Sequence, residues 1–251
     1  MRTFLVVTCG VVVVLALFGV DCAAAAEQPN AEQPNIVFLI SDDHDNEHLG
    51  FMGNETVHTP NLDQLALEGA VFTRAHLPMS RCRPTLGSFL SGRWPHQSGV
   101  YYNYGSRRLS TENSLPNLLK AVGYATYVEG KYWEGDPRSM GFTHGKGRTS
   151  DTFVRKGQDD LFDFIDEVGG KQPMFIWWAP RIPHTPHDPP EKYMALFNRQ
   201  QIPVPNWIDT QRRESFLEKE HLSLAMEAWL DDAVGDLEDK LREKGLYENT
   251  L

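Results

Sequence analysis

Three short apolar runs stand out along the chain: "NIVFLI" (35–40), "YATYVEG" (124–130) and "PMFIWWA" (173–179). They are rich in β-branched and aromatic residues and lack strict polar alternation, the pattern of strands buried on both faces of a parallel sheet. Helical spacing fills the intervals. Thr59 and Pro60 open the run through "NLDQLALEG" as N-cap and first helical residue, with a glycine to close it, and Ser114 to Gly123 repeats that arrangement. Met226, Trp229, Leu230, Ala233, Val234, Leu237 and Leu241 recur on one helical face and stop near Gly245, which predicts one long amphipathic helix. There is no internal repeat and no low-complexity linker. The alternation predicts an α/β fold with a doubly wound, mostly parallel sheet, whose ligands sit beyond the carboxyl ends of the strands.

The first residues follow a different logic. Arg2 gives a positive start, Phe4 to Val20 is almost continuously apolar, and "CAAAAE" offers a small-residue cleavage site, so residues 1–26 read as a signal peptide removed after about Ala26. The apolar run is shorter than the ~20 residues a membrane span needs, which favours a removed signal over a retained anchor. Asp21 ahead of Cys22 disfavours a lipid anchor there. The mature chain, 27–251, is thus expected to be exported, periplasmic or secreted, and free of the membrane. It is long enough for one α/β domain or the front of a larger one.

Export changes the meaning of the cysteines. Cys9 and Cys22 leave with the signal, so Cys82 stands alone where paired cysteines normally form disulfides. Such a residue is either an inert apolar side chain or a reactive group.

The formal net charge of −10 argues against a nucleic-acid partner, yet the charge is unevenly placed. Between Glu68 and Glu112 there is no acid, and that interval holds Arg74, Arg81, Arg83, Arg93, Arg107 and Arg108 around Cys82. Arginine's fork of donors suits multi-oxygen anions, which makes Arg83 and Arg93 candidate substrate-binding groups for a phosphate, carboxylate or sulfate. The plainer alternative is that these arginines pair with acids from other segments.

Each apolar run leads into polar residues. The first ends in "SDDHDNEHLG", where Asp42 and Asp43 are adjacent carboxylates that repel unless a cation lies between them or they point apart into water. Calcium, or alternatively magnesium, would resolve that conflict with oxygen ligands; a solvated turn would do so without a metal. The second run leads into Lys131. The third leads into "PRIPHTPHDPP", where prolines stiffen a loop presenting His184 and His187, side chains able to exchange protons near neutral pH.

Taken in order, "PNIVFLISDDH", "HTPNLDQLALEGAVFTRAH", "RCRPTLGSFLSGRWPHQSGV", "EGK" and "PHTP" resemble the sulfatase family of the alkaline-phosphatase superfamily, over essentially all of the mature chain. The resemblance implies that Asp42, Asp43 and the modified Cys82 bind calcium, and that a maturation enzyme converts Cys82 to formylglycine. It further implies that Lys131 contacts the sulfate, that His184 stands near the leaving oxygen, and that the substrate is a sulfate ester, such as one on a polysaccharide. A phosphoester or phosphonate hydrolase of the same superfamily and a non-catalytic binder of sulfated glycans are the competing readings.

Three departures qualify the resemblance. The family reads Cys-x-Pro-Ser-Arg, whereas this chain has Cys82, Arg83, Pro84, Thr85 and Leu86, so the last arginine is missing. A histidine expected two residues after Lys131 is Trp133. The Asp-Asn strand that completes the family's calcium site, and a later lysine, have no counterpart before Leu251. The resemblance therefore implies the front portion of a catalytic domain, incomplete at its carboxyl end and poorly active alone.

Overall fold

In a computed structural model of the chain, residues 33–149 and 151–251 are described. The predicted signal segment and its cleavage site lie outside them. All three apolar runs are strands, β1 (Ile36–Leu39), β2 (Ala125–Gly130) and β4 (Met174–Ala179), joined by β3 (His144–Gly147) in one parallel sheet of order β1-β4-β2-β3. β4 explains its own sequence. It pairs with β1 on one side, Ile36 opposite Phe175, and with β2 on the other, Tyr127 opposite Ile176, and all six of its residues are buried.

Alternation along β4 then divides the core. Met174, Ile176 and Trp178 face a cluster with Leu161, Ile165, Met226, Leu230 and Leu237, while Phe175, Trp177 and Ala179 face Leu86, Leu90, Val128 and Phe142. Side chains of this kind contribute about 1.5–3 kcal/mol each when fully buried. The two tryptophans keep their polar ends satisfied: Trp178 donates to Gln158 Oε1 at 2.6 Å and Trp177 to the Lys131 carbonyl at 3.2 Å.

The helices are α1 (Pro60–Glu68), α2 (Cys82–Ser91), α3 (Pro95–Ser98), α4 (Leu115–Ala121), α5 (Asp159–Val168), α6 (Glu191–Met194) and α7 (Arg213–Glu243). α5 and α7 cover one face of the sheet, α2 and α4 the other, giving the doubly wound architecture predicted from the sequence. The predicted face of α7 is the buried one, though the helix begins well before Met226. Residues 250 and 251 lie beside β1, with Thr250 bridged in parallel to Asn35 and Leu251 accepting from the Val37 N–H at 2.7 Å.

Three expectations change in detail. Ser114 does not cap α4 with its side chain, its hydroxyl lying 3.0 Å from the Thr111 carbonyl and 2.7 Å from the Met140 carbonyl. Thr59 does not cap α1 with its side chain; its hydroxyl accepts from the Gly50 N–H at 3.0 Å and donates to Asp63. Buried Asp231 of α7 receives the Asn61 and Leu62 N–H groups instead, at 3.1 and 2.8 Å, so a tertiary carboxylate satisfies the helix start. Gly69 ends α1 in an extended conformation, not a left-handed one.

Candidate active site

The strand ends build the site. Beyond β1 and β4 the two chains keep pairing: Ile40 N–H donates to Trp178 O at 2.9 Å, Asp42 N–H to Ile182 O at 3.3 Å, and His184 N–H to Asp42 O at 2.9 Å. That extended ladder fixes Asp42 beside the 182–184 loop. Asp43 follows with a φ of 56°, in the left-handed region that an aspartate tolerates better than most residues. β2 delivers Lys131 through Gly130, whose φ is 91° and whose missing Cβ would stand 2.0 Å from the Ala179 carbonyl oxygen. Only glycine lets β2 and β4 approach so closely there.

Cys82 arrives from the opposite side as the first residue of α2. Arg81 is extended at the N-cap, and Pro84 lies in the first turn, where its missing N–H has no intrahelical partner to lose. At this helix end the N–H groups point outward and favour negative charge at or near Cys82. Its sulfur lies 3.1 Å from Lys131 Nζ and 3.8 Å from Asp42 Oδ1, and Lys131 also pairs with Asp42 Oδ2. Asp42, Asp43 and Cys82 offer ligand atoms all within 4.8 Å of one another. They line a cleft of about 300 Å³ with Lys131, Arg81 and His44.

His184 flanks this group. Its Nε2 stands 3.6 Å from Asp43 Oδ2, and its Nδ1 lies 2.7 Å from the Thr185 carbonyl and 3.4 Å from Arg181 Nε. Asp42, Asp43, Cys82, Lys131 and His184 therefore come together from four separate segments of the chain.

Three other sequence candidates do not line the cleft. Arg83 is buried, donating from Nε and Nη2 to Glu134 at 2.8 and 3.2 Å and from Nη2 to the Arg107 carbonyl at 3.1 Å. A helix turns successive side chains about 100° apart, so Arg83 points away from the face that Cys82 presents. Arg93 lines a different cavity, with Arg107 and Arg108. His187 is half-buried on the proline-rich loop and is not part of the cleft wall. Arg81 and His44 also line the cleft without having been assigned a role from sequence; the clue was their adjacency to Cys82 and to the Asp42–Asp43 pair.

The sulfatase family model matches residues 34–251. The chain belongs to the sulfatase family. Among curated relatives it is 34% identical to N-acetylgalactosamine-6-sulfatase of Rattus norvegicus, over 91% of this chain and 50% of that protein. It is 25% identical to N-acetylglucosamine-6-O-sulfatase of Bacteroides thetaiotaomicron, over 76% of this chain and 38% of that protein. The chain thus spans half or less of either sulfatase. The crystal structure of phosphonate monoester hydrolase of Agrobacterium radiobacter shares the fold, with a TM-score of 0.69 at 19% identity over 87% of this chain and 61% of that one.

Against the sulfatase pattern, the two substituted positions have distinct surroundings. Leu86 is buried in the apolar cluster on the α2 face and reaches the cleft wall, so an apolar side chain stands where an arginine was expected. Trp133 packs edge-on to Tyr104 at 5.5 Å, away from the cleft wall, and its buried indole N–H has no hydrogen-bond partner among the described residues.

Proposed function

We propose that this chain carries part of the catalytic site of an exported sulfuric ester hydrolase, acting on sulfate esters of saccharides through formylglycine made from Cys82 and a bound calcium ion. The observation that carries this reading is the convergence of Cys82, Asp42, Asp43 and Lys131 at the carboxyl ends of β1 and β2.

The donor set fits calcium only after modification. Two carboxylates are hard oxygen donors suited to calcium, whereas a thiolate is soft and suits other metals. Replacing sulfur by the oxygens of a hydrated aldehyde makes all three positions oxygen donors. Three residues are still fewer than the 6 to 8 ligands calcium usually takes, so a bound ion would need further oxygen donors beyond Asp42, Asp43 and residue 82. When bound, the ion supplies Lewis-acid activation and charge neutralisation. Formylglycine at position 82, as its hydrate, would supply a carbon bearing two hydroxyls, one to serve as nucleophile toward sulfur and one to let sulfate be released.

The chain's own residues do the rest. Lys131, within 3.1 Å of the Cys82 sulfur, holds a positive charge against the sulfuryl oxygens as negative charge builds there. Exposed Arg81, at the cleft mouth, extends that field. His184, its Nδ1 held between the Thr185 carbonyl and Arg181 Nε, keeps Nε2 toward Asp43 and the site, positioned to manage the proton of the leaving alcohol.

A second reading, a non-catalytic binder of sulfated glycans, has two observations in its favour: Lys131 already neutralises Asp42, and Leu86 gives the cleft an apolar wall. The shared fold leaves phosphorus chemistry as a comparison arm. The test is mass spectrometry of the peptide containing residue 82, from protein expressed beside a maturation enzyme, with hydrolysis of paired aryl sulfate and aryl phosphate. Formylglycine at position 82 and sulfatase activity abolished by Cys82→Ala are expected. An unmodified thiol with glycan binding but no turnover favours the binder, and faster phosphate hydrolysis overturns the sulfate assignment.

A further inference from the structure

A second cavity, of about 360 Å³, lies at the far end of α2. Ser91, the last residue of that helix, lines it, and at 1.5 Å rise per residue Ser91 stands roughly 14 Å along the axis from Cys82. Arg93, Arg107 and Arg108 share its wall with uncharged residues, and no acid is among them. Among the described residues none of the three arginines has an ion-pair partner; Glu134, behind the 107–109 segment, is taken by Arg83 and by the Leu109 N–H. Uncompensated arginines gathered in one cavity of a chain with net charge −10 call for an anion.

The cavity is also held in shape. Arg83 donates to the Arg107 carbonyl at 3.1 Å and Glu134 accepts from Leu109 at 3.3 Å, so the buried ion pair anchors the backbone on both sides of Arg108. A preorganised wall loses less freedom on binding. Nearby in the chain, Trp94 and Tyr101 are 57% and 43% exposed. Flat aromatic faces of this kind suit the apolar face of a sugar ring, but neither is among the cavity-lining residues, so the arginines alone carry the contact with the anion.

We propose that this cavity binds an anionic polysaccharide, sulfated or carboxylated, at a site separate from the Cys82 cleft. The proposal does not rest on the hydrolytic reading, because binding here needs neither formylglycine nor metal. The net charge of −10 repels any polyanion at long range, so the attraction must come from the arginines of the cavity itself.

Calorimetric titration of the full chain with sulfated, carboxylated and neutral oligosaccharides of equal length, at low and high salt, tests it. Binding by the charged sugars and not the neutral one, weakened by salt, is expected, with the two charged arms showing which oxyanion is preferred. The exposed triple variant Arg93→Gln/Arg107→Gln/Arg108→Gln, its folding checked by circular dichroism, should bind about ten-fold or more weakly. Asp42→Asn/Cys82→Ala should bind the carboxylated sugar, which the Cys82 cleft is not proposed to take, as the parent does. The proposal is overturned if the triple variant keeps parental affinity for the carboxylated sugar, if the cleft variant loses that affinity, or if duplex DNA of matched charge binds as tightly as the sugar.

Discussion

Arg83 is the residue on which sequence and structure assign opposite roles, and one substitution series separates them. As a substrate-binding group it would affect the Michaelis constant and leave stability alone. As a structural group it should do the reverse. The structure gives it two hydrogen bonds to Glu134, at 2.8 and 3.2 Å, and a third to the Arg107 carbonyl, with side-chain exposures of 9% and 2% for the two partners. Removing one member of a buried pair leaves the other charged and unpaired, at a cost of about 3–5 kcal/mol. For a domain of this size that lowers the melting temperature by roughly 6–20 °C. Replacing both members with apolar residues should recover much of the loss, since an apolar pair of similar volume is often close to neutral. The assay is chemical denaturation of Arg83→Met, Glu134→Leu and the double variant, alongside sulfate-ester kinetics where turnover is measurable. Arg83→Met that keeps parental stability within about 1 kcal/mol while weakening substrate binding would refute the structural assignment and restore the sequence-based one.

Two further outcomes follow from local geometry. Gly130→Ala would place a Cβ 2.0 Å from the Ala179 oxygen and force a left-handed conformation on alanine, so the variant should lose several kcal/mol or fail to accumulate folded; soluble yield and denaturation midpoint read this directly. His48 is raised to about 10 by hydrogen bonds to Glu220 and Glu227. Because its folded pKa exceeds the unfolded value near 6.5, its contribution to stability is complete below about pH 6.5 and is lost as pH rises towards 10. Thermal melts across that window should fall for the parent and fall less for His48→Gln, and parallel curves would remove His48 from the account.

The legible part of the fold was the part governed by burial. "PMFIWWA" is buried on both faces, and its unbroken apolar character follows from that position at the centre of the sheet. β3 was invisible for the complementary reason: "HGKG" is a partly exposed edge strand that pairs only with β2, and its backbone contacts leave no hydrophobic trace. The capping of α1 was half legible. Pro60 marked the start, but the acceptor is Asp231, 169 residues from the N–H of Leu62, and no local pattern records a partner so distant. The site divides in the same way. Asp42, Lys131 and His184 follow strand ends, which periodicity locates, whereas the arginines around Cys82 read as one group only in the linear sequence. The helix sends Arg83 inward to Glu134 and carries Arg93 to a separate cavity.

Lys131 gives the sharpest test of how the proposed metal site is built. Its ammonium pairs with Asp42 and lies 3.1 Å from the Cys82 sulfur, so it occupies the same electrostatic position that a calcium ion would need. Calcium binding must then displace this ion pair or tolerate a positive neighbour, and either way the lysine opposes the metal. Two unit charges 4 Å apart interact by about 4 kcal/mol at an effective dielectric of 20, and solvent at the open cleft reduces this further. Lys131→Gln should therefore raise calcium affinity by about ten-fold, a conservative fraction of that energy. The same change removes the charge that stabilises developing sulfuryl negative charge, so turnover should fall. Asp42→Asn, by contrast, should weaken both together. Calorimetric calcium titration of the three proteins, after confirming the state of residue 82 in each, reads affinity without depending on activity. A Lys131→Gln variant that binds calcium more weakly than the parent would refute the competition and mean that the lysine organises the carboxylates, whereas Asp42→Asn with parental calcium affinity would mean that Asp42, Asp43 and residue 82 are not the metal site.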